Sequence, residues 1–348
     1  MVQQQRIESV DLFRVFAIVA VIAIHTGPFR ATSDVEESVL QAGVLINQLA
    51  RFAVPFFFVV SGYFWGLKVR TQDSPWPVSW PMIKRIAAIF AFWSLIYIIP
   101  FDLGAMIRNG VLTEMKATYW GLSSIVGDPV RMISQGTKGH LWFLPALISA
   151  ITIVTFMLQK KWHAGLIILS LALYVIGLLG KGYADAPMGI HIGVNTRNGP
   201  FVATALFASG YYISNYRPRP AWLILGAFIA GGGMMLHLAE LAILHRLYGT
   251  PLNQDYLVGT YFAGIGVAIM ALSGNQYLQA AFVAKLGKLI LGIYACHYIF
   301  VELLNAGTHS QFGDSFVWQI AYVALVFIFS MSLVLVMSRF ERLKQFVM

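Results

Sequence analysis

Apolar residues run through this chain in long blocks separated by short polar stretches. The blocks fall at roughly residues 10–28, 43–66, 83–103, 141–158, 164–180, 200–214, 221–238, 256–273, 286–304 and 317–338. Most reach the ~18 residues at which an apolar run reads as a membrane-crossing helix. The sixth is short, and the fifth and seventh depend on where the membrane interfaces fall. Connections are brief except for residues 104–140, a polar, glycine-containing stretch expected to be partly ordered over one membrane face. No internal repeat, low-complexity tract or soluble domain interrupts the series. The pattern predicts an all-α integral membrane protein of about ten transmembrane helices. A single domain would occupy 1–348, with no appended soluble domain.

Composition agrees. Of the 348 residues, 58% are hydrophobic and 11% charged, with a mean hydropathy of +0.71, whereas soluble chains are about half apolar and a quarter charged. The lone cysteine, Cys296, excludes an internal disulfide and any multi-thiolate metal or redox site. A net charge of +9 would suit nucleic acid, but in a membrane protein its distribution is what informs. With a cytoplasmic N-terminus, the inner loops hold Arg6, Lys68, Lys84, Arg85, Lys285, Lys288 and eight more basic residues. The outer loops hold fewer, among them Arg30, Arg51, Lys138, Lys181 and Arg197. The excess places both termini in the cytoplasm, and no nucleic-acid partner is expected. Asp11 and Arg14 interrupt the first block and no small-x-small cleavage site follows, so that block is read as a retained span.

Those two residues, with His25, raise the question of chemistry. In a helix, eleven residues bring Arg14 and His25 to within about 20° of one face and separate them by about 16 Å. Asp11 stands one turn below Arg14 and can pair with it. Two readings follow. In one, the Asp11–Arg14 pair sits at the inner interface and His25 at the outer one. In the other, the face lines a cavity with an anion-binding group at its inner end and a titratable base at its outer end. His140, His237 and His297 also fall in or near the outer halves of spans, while His191, His245 and His309 fall in outer loops.

Five segments carry a resemblance. Asp11-x-x-Arg14, ten residues and then His25 resembles the Arg/Lys-x10-His signature of the acyltransferase-3 family of membrane O-acyltransferases. "RFAVPFFFVVSGYFWG" (51–66), "GHLWFLPALI" (139–148), "RNGPFVATALFASGYYI" (197–213) and "LGIYACHYIF" (291–300) are similar to further family segments in the same order. One departure stands in the third block. The family often shows Arg-x-x-Arg at its inner start, and here Lys84 and Arg85 are followed by Ala88.

The resemblance implies acyl transfer from a cytoplasmic acyl-CoA, usually acetyl-CoA, to a sugar hydroxyl presented at or across a bacterial inner membrane. Acetyl-CoA would be a co-substrate, with no metal. A glycan or lipid-linked sugar would be the acceptor, alongside membrane lipid and polysaccharide-assembly proteins or a second copy as partners. Arg14, Asp11, Lys84 and Arg85 would serve the donor side, since phosphate charge calls for Arg or Lys. His25 would act as general base, because a hydroxyl attacking a thioester needs one and histidine titrates in the right range. A transient acyl-histidine is the alternative.

His297 and Glu302, five residues apart, are further catalytic candidates facing a shared cavity, with Glu302 as an orienting acid or an interfacial group. Arg51, His140 and Arg197 are acceptor-binding candidates; each also suits an interfacial or loop role. Ser61 and Tyr63 are read as packing residues, and Cys296 as a small buried hydrophobe. No metal-ligand spacing is present. Outside the family, the intramembrane charges would equally suit a transporter or flippase for a sugar-lipid or acyl donor. Its usual two related halves are not evident in the sequence. A structural subunit of a polysaccharide-export complex would leave those charges unexplained.

Overall fold

The computed structural model describes residues 7–29, 37–308, 313 and 315–348, and among these it contains helices and loops but no strand. Arg6, Arg30 and His309 lie outside the described residues. The first half comprises α1 (Glu8–Thr26), α2 (Glu37–Leu49), α3 (Ala53–Val69), α4 (Trp76–Ile96), α5 (Leu103–Asn109), α6 (Val111–Val126), α7 (Pro129–Gln135) and α8 (Phe143–Gln159). The second comprises α9 (His163–Leu179), α10 (Pro200–Ile213), α11 (Trp222–Tyr248), α12 (Val258–Leu272), α13 (Ala281–Ala284), α14 (Ile290–Thr308), α15 (Phe316–Met337) and α16 (Glu341–Lys344). Among the described residues, six helical stretches are long and apolar enough to cross a membrane by length and composition: 8–26, 41–69, 139–159, 222–248, 285–308 and 316–337. α9, α10 and α12 are apolar but shorter.

Three places differ from the apolar blocks. The second block is not a single α-helix with a kink inside it, because Pro55 sits in the first turn of α3. Lacking an N–H, it cannot close the α-helical bond to the residue four before it. The chain tightens there into a 3-10 turn over Ala50–Phe52 that carries Arg51. The third helix lies about two turns earlier than its block, at Trp76–Ile96 rather than 83–103. Pro75 precedes it, and proline suits a helix start. After Tyr97 the chain turns through Pro100, and the Asp102 side chain accepts from Ala105 N–H at 2.8 Å to begin α5. The 104–140 stretch is then largely helical, as α5, α6 and α7, with Asp128 capping α7.

α1 is a central element. It packs against α3, α12, α14 and α15, and Ala17, Ile18 and Ile22 on it are fully buried. Gly27 closes it in the left-handed conformation (φ 58°), returning its N–H to the Ala23 carbonyl. α3 and α10 approach backbone to backbone: a Cβ at Gly62 would lie 2.0 Å from the Phe207 oxygen, and one at Gly210 would lie 1.9 Å from the Val59 oxygen. Small residues at such crossings let helices share close packing where water supplies no driving force. Gly210→Val is therefore expected to cost about 3 kcal/mol or more by overpacking. Size-exclusion profiles of detergent-extracted protein should show most of the monodisperse peak lost.

Candidate functional site

The face of α1 that carries Arg14 and His25 opens onto two cavities. The inner one, of about 970 Å³, is lined by the cations Arg14, Lys68, Arg85 and Lys288, by Ser61, and by an aromatic wall that includes Phe57 and Phe143. The outer one, of about 390 Å³, is lined by His25, Arg51, Lys181, Arg197, Asp255 and Trp142 among others. Val21 and Val54 line both. The two spaces thus adjoin, with Val21 of α1 and Val54 of α3 lining the boundary between them.

At the inner end, Arg14 Nη1 pairs with Asp11 Oδ1 at 3.0 Å, and its guanidinium lies 5.4 Å from the Phe64 ring centroid. Asp11 is buried because the backbone at Gly287 passes directly against it, so closely that a Cβ there would come within 2.1 Å of Asp11 Oδ1. Lys84 and Arg85, adjacent in sequence, diverge on the helix. Arg85 lines the cavity, whereas the Lys84 ammonium lies over Trp80, 5.2 Å from the ring centroid, away from the lining. The chain's last residues return to this end. Phe346 stacks on Phe92 at 4.2 Å, and Met348 lines the cavity.

At the outer end, three histidines from distant segments converge. The rings of His25 and His297 are 5.2 Å apart between centroids, those of His140 and His297 5.0 Å, and those of His25 and His140 6.2 Å. Tyr298 stacks on His140 at 5.1 Å and meets His25 edge-on at 5.4 Å. Backbone carbonyls orient two of the rings. His297 Nδ1 lies 2.6 Å from the Tyr294 oxygen and His140 Nε2 lies 3.3 Å from the Ala295 oxygen. A carbonyl only accepts, so these nitrogens carry the protons. The second nitrogens, His297 Nε2 and His140 Nδ1, are buried without a hydrogen-bond partner. Glu302 is turned away from this group to Lys138, whose ammonium is 2.5 Å from Glu302 Oε1. Its place as a histidine-orienting acid is therefore taken by carbonyl oxygens. Among the described residues, no group of three or more His, Cys, Asp or Glu is arranged to hold a metal ion.

Arg51 and Arg197, far apart in sequence, meet at one carboxylate, that of Asp255. Arg51 Nη1 reaches Asp255 Oδ1 at 2.8 Å, while Arg197 Nη1 and Lys181 Nζ stand 3.5 and 3.6 Å from Oδ2. Burial alone would raise the Asp255 carboxyl. The charges of Arg197, Arg51 and Lys181, with the hydrogen bond from Arg51, outweigh it and hold the group below the ordinary aspartate value. The site stability this contributes is present above that ordinary value and is lost as acid protonates the group through its lowered one.

The sequence reading did not single out Lys68, Lys288, Lys181, Asp255 or Tyr298. Lys68 and Lys288 carried one signal, membership of the inner basic excess. Lys181 carried only its place among the outer-loop basic residues, and Asp255 carried none until two loops were folded together. Ser61, read as packing, lines the inner cavity. Tyr63 and Cys296 are buried in the core.

Comparison with known proteins places this arrangement in a family. The family model described as an acyltransferase domain, that of the acyltransferase-3 family, matches residues 7–335. Two proteins named amino-acid racemase from Enterococcus faecalis are 27% and 31% identical over 62% and 65% of this chain, and a serine/alanine racemase from Enterococcus gallinarum is 26% identical over 72%. The matched part is 29%, 29% and 33% of those proteins, so the chain spans about a third of the length of the curated relatives it matches. No solved structure matches. With its apolar helices and a family match from Ile7 to Leu335, the chain is a membrane protein of the acyltransferase-3 family.

Proposed function

We propose that this protein is an O-acyltransferase of the bacterial cytoplasmic membrane, crossing it ten times with both termini inside. It takes an acyl group, acetyl in the simplest case, from cytoplasmic acyl-CoA and passes it to a hydroxyl of a cell-envelope or exported glycan. The observation that carries this reading is the pair of adjoining cavities that share Val21 and Val54 in their walls, one lined by Arg14, Lys68, Arg85 and Lys288 and the other by His25.

Coenzyme A brings several phosphate charges and a long, thin pantetheine arm. Arg14, Lys68, Arg85 and Lys288 supply the matching charge, and the aromatic wall of the inner cavity suits the arm. The ~16 Å between Arg14 and His25 along α1 is the kind of reach an extended arm provides. At the junction the acceptor oxygen attacks the thioester carbonyl while His25 takes the hydroxyl proton. The resulting intermediate collapses with cleavage of the carbon–sulfur bond, and His25 returns the proton to the departing thiolate. Arg51, in the same outer cavity, is suitably charged to attract the negative carbonyl oxygen of that intermediate. His140 and His297 hold the wall behind His25.

Purified protein incubated with acetyl-labelled CoA and candidate envelope glycans tests the reading. Label on the glycan supports it. Movement of a sugar-lipid across vesicles with no label transferred would replace it with a transporter.

A further inference from the structure

The outer cavity holds charge that its own carboxylate does not saturate. Asp255 Oδ1 makes a 2.8 Å contact with Arg51, but its other oxygen is shared at 3.5 and 3.6 Å by Arg197 and Lys181. Those separations exceed the ~2.7–2.9 Å of a charge-assisted hydrogen bond. The remaining contacts of Arg197 fix its plane without using its fork. Its Nε–H donates to Asn198 Oδ1 at 3.3 Å, and its guanidinium lies 5.1 Å from the Trp142 ring centroid. Lys181 and Arg197 are only 35% and 21% exposed at the side chain. Two cations held this far from water with half a carboxylate each call for further negative charge.

We infer that Lys181 and Arg197 form a subsite for an anionic substituent, carboxylate or phosphate, on the molecule that accepts the acyl group. The inference rests on the proposed acyl transfer for the word acceptor, and on the cavity for the rest. A planar guanidinium fork beside an ammonium is the usual protein answer to either anion. His25 lines the same ~390 Å³ space, a volume within the range of small-ligand pockets (about 300–1,000 Å³). The anion and the reacting hydroxyl therefore belong to one compact molecule or one sugar unit. Arg51 holds Asp255 in place, and Asp255 sets the spacing of the two anion-facing cations. The preferred acceptor is thus acidic rather than neutral.

The test has a binding arm and a transfer arm, both with the full chain in detergent and the inner cavity saturated with CoA or acetyl-CoA. In the first, thermal stability is followed while glucose, glucuronate or glucose 6-phosphate is titrated. The acids should raise Tm saturably and glucose should not, and the stronger acid identifies the anion as carboxylate or phosphate. Lys181→Gln and Arg197→Gln should each raise the half-saturating concentration about tenfold or more, the effect of losing one charge-assisted bond. Lys181→Arg, which keeps the charge, should recover most of it and exclude a folding defect. No saturable rise, or the same saturation in both glutamine variants, overturns the inference. In the second arm, acidic glycan acceptors should show at least tenfold higher kcat/KM than neutral counterparts. Equal values overturn the inference while leaving the acyl transfer intact. Anion binding without label transfer to any glycan leaves the subsite standing and overturns the proposed reaction.

Discussion

Replacing His25 with alanine is expected to lower acyl transfer by about 10²–10⁴-fold, the usual contribution of a positioned general base. The affinity for acyl-CoA should stay nearly unchanged, because the cations facing the donor line the other cavity. Stability should fall only modestly, through loss of the ring contacts with His140, His297 and Tyr298, because the aliphatic core around Ile18 and Ile22 is untouched. Steady-state kinetics with labelled acetyl-CoA checks the first point, equilibrium binding of CoA the second and a melting curve the third. A loss of donor binding equal to the loss of turnover would remove His25 from the base role. Rapid quenching without acceptor separates the two chemical routes. Label retained on the wild-type protein but absent from His25→Ala indicates the acyl-histidine path.

Arg14→Gln is expected to raise the KM for acyl-CoA by about ten- to a hundredfold through loss of a charge-assisted bond to phosphate. The same change takes from Asp11 one of its partners, 3.0 Å away, and truncating one member of a buried pair typically costs about 3–5 kcal/mol. Arg14 is 30% exposed at the side chain, which places the expected loss below that range. The double variant Asp11→Asn/Arg14→Gln separates the two effects. Stability should recover, because the buried carboxylate charge is gone, whereas donor affinity should not. Melting curves and KM measured on wild type, Arg14→Gln, Asp11→Asn and the double variant form a cycle in which only the stability term couples. Recovery of both quantities together would mean that Arg14 serves the ion pair alone.

Much of the frame was legible in the order of residues. Each apolar block falls largely on helix, because a backbone in hydrocarbon must satisfy its own hydrogen bonds and runs of ~18 apolar residues have few other solutions. The Arg14–His25 spacing was equally legible, since helical periodicity relates residues within one element whatever surrounds it. Where local chemistry overrode hydropathy, the blocks misplaced the ends. Prolines and the Asp102 cap moved α4 about two turns earlier, and Pro55 put a 3-10 turn at Ala50–Phe52 inside the second block.

The sites were less legible than the helices. Lys84 and Arg85 are neighbours in sequence, yet 100° of helical turn sends one to Trp80 and the other to the cavity. His140 and His297 meet His25 from segments more than a hundred residues away. Glu302, near His297 in sequence, goes instead to Lys138 on a different connection.

The sequence by itself determined that this is a helical membrane protein and that its first helix carries an arginine and a histidine on one face. Those properties depend on the composition and periodicity of single segments. Only the tertiary structure decided which charges line the cavities, that two cavities adjoin at Val21 and Val54, and that Lys181, Arg197 and Arg51 share Asp255. These depend on how helices cross, and close crossings such as Gly62 against Phe207 bring together residues whose separation along the chain carries no trace of the contact.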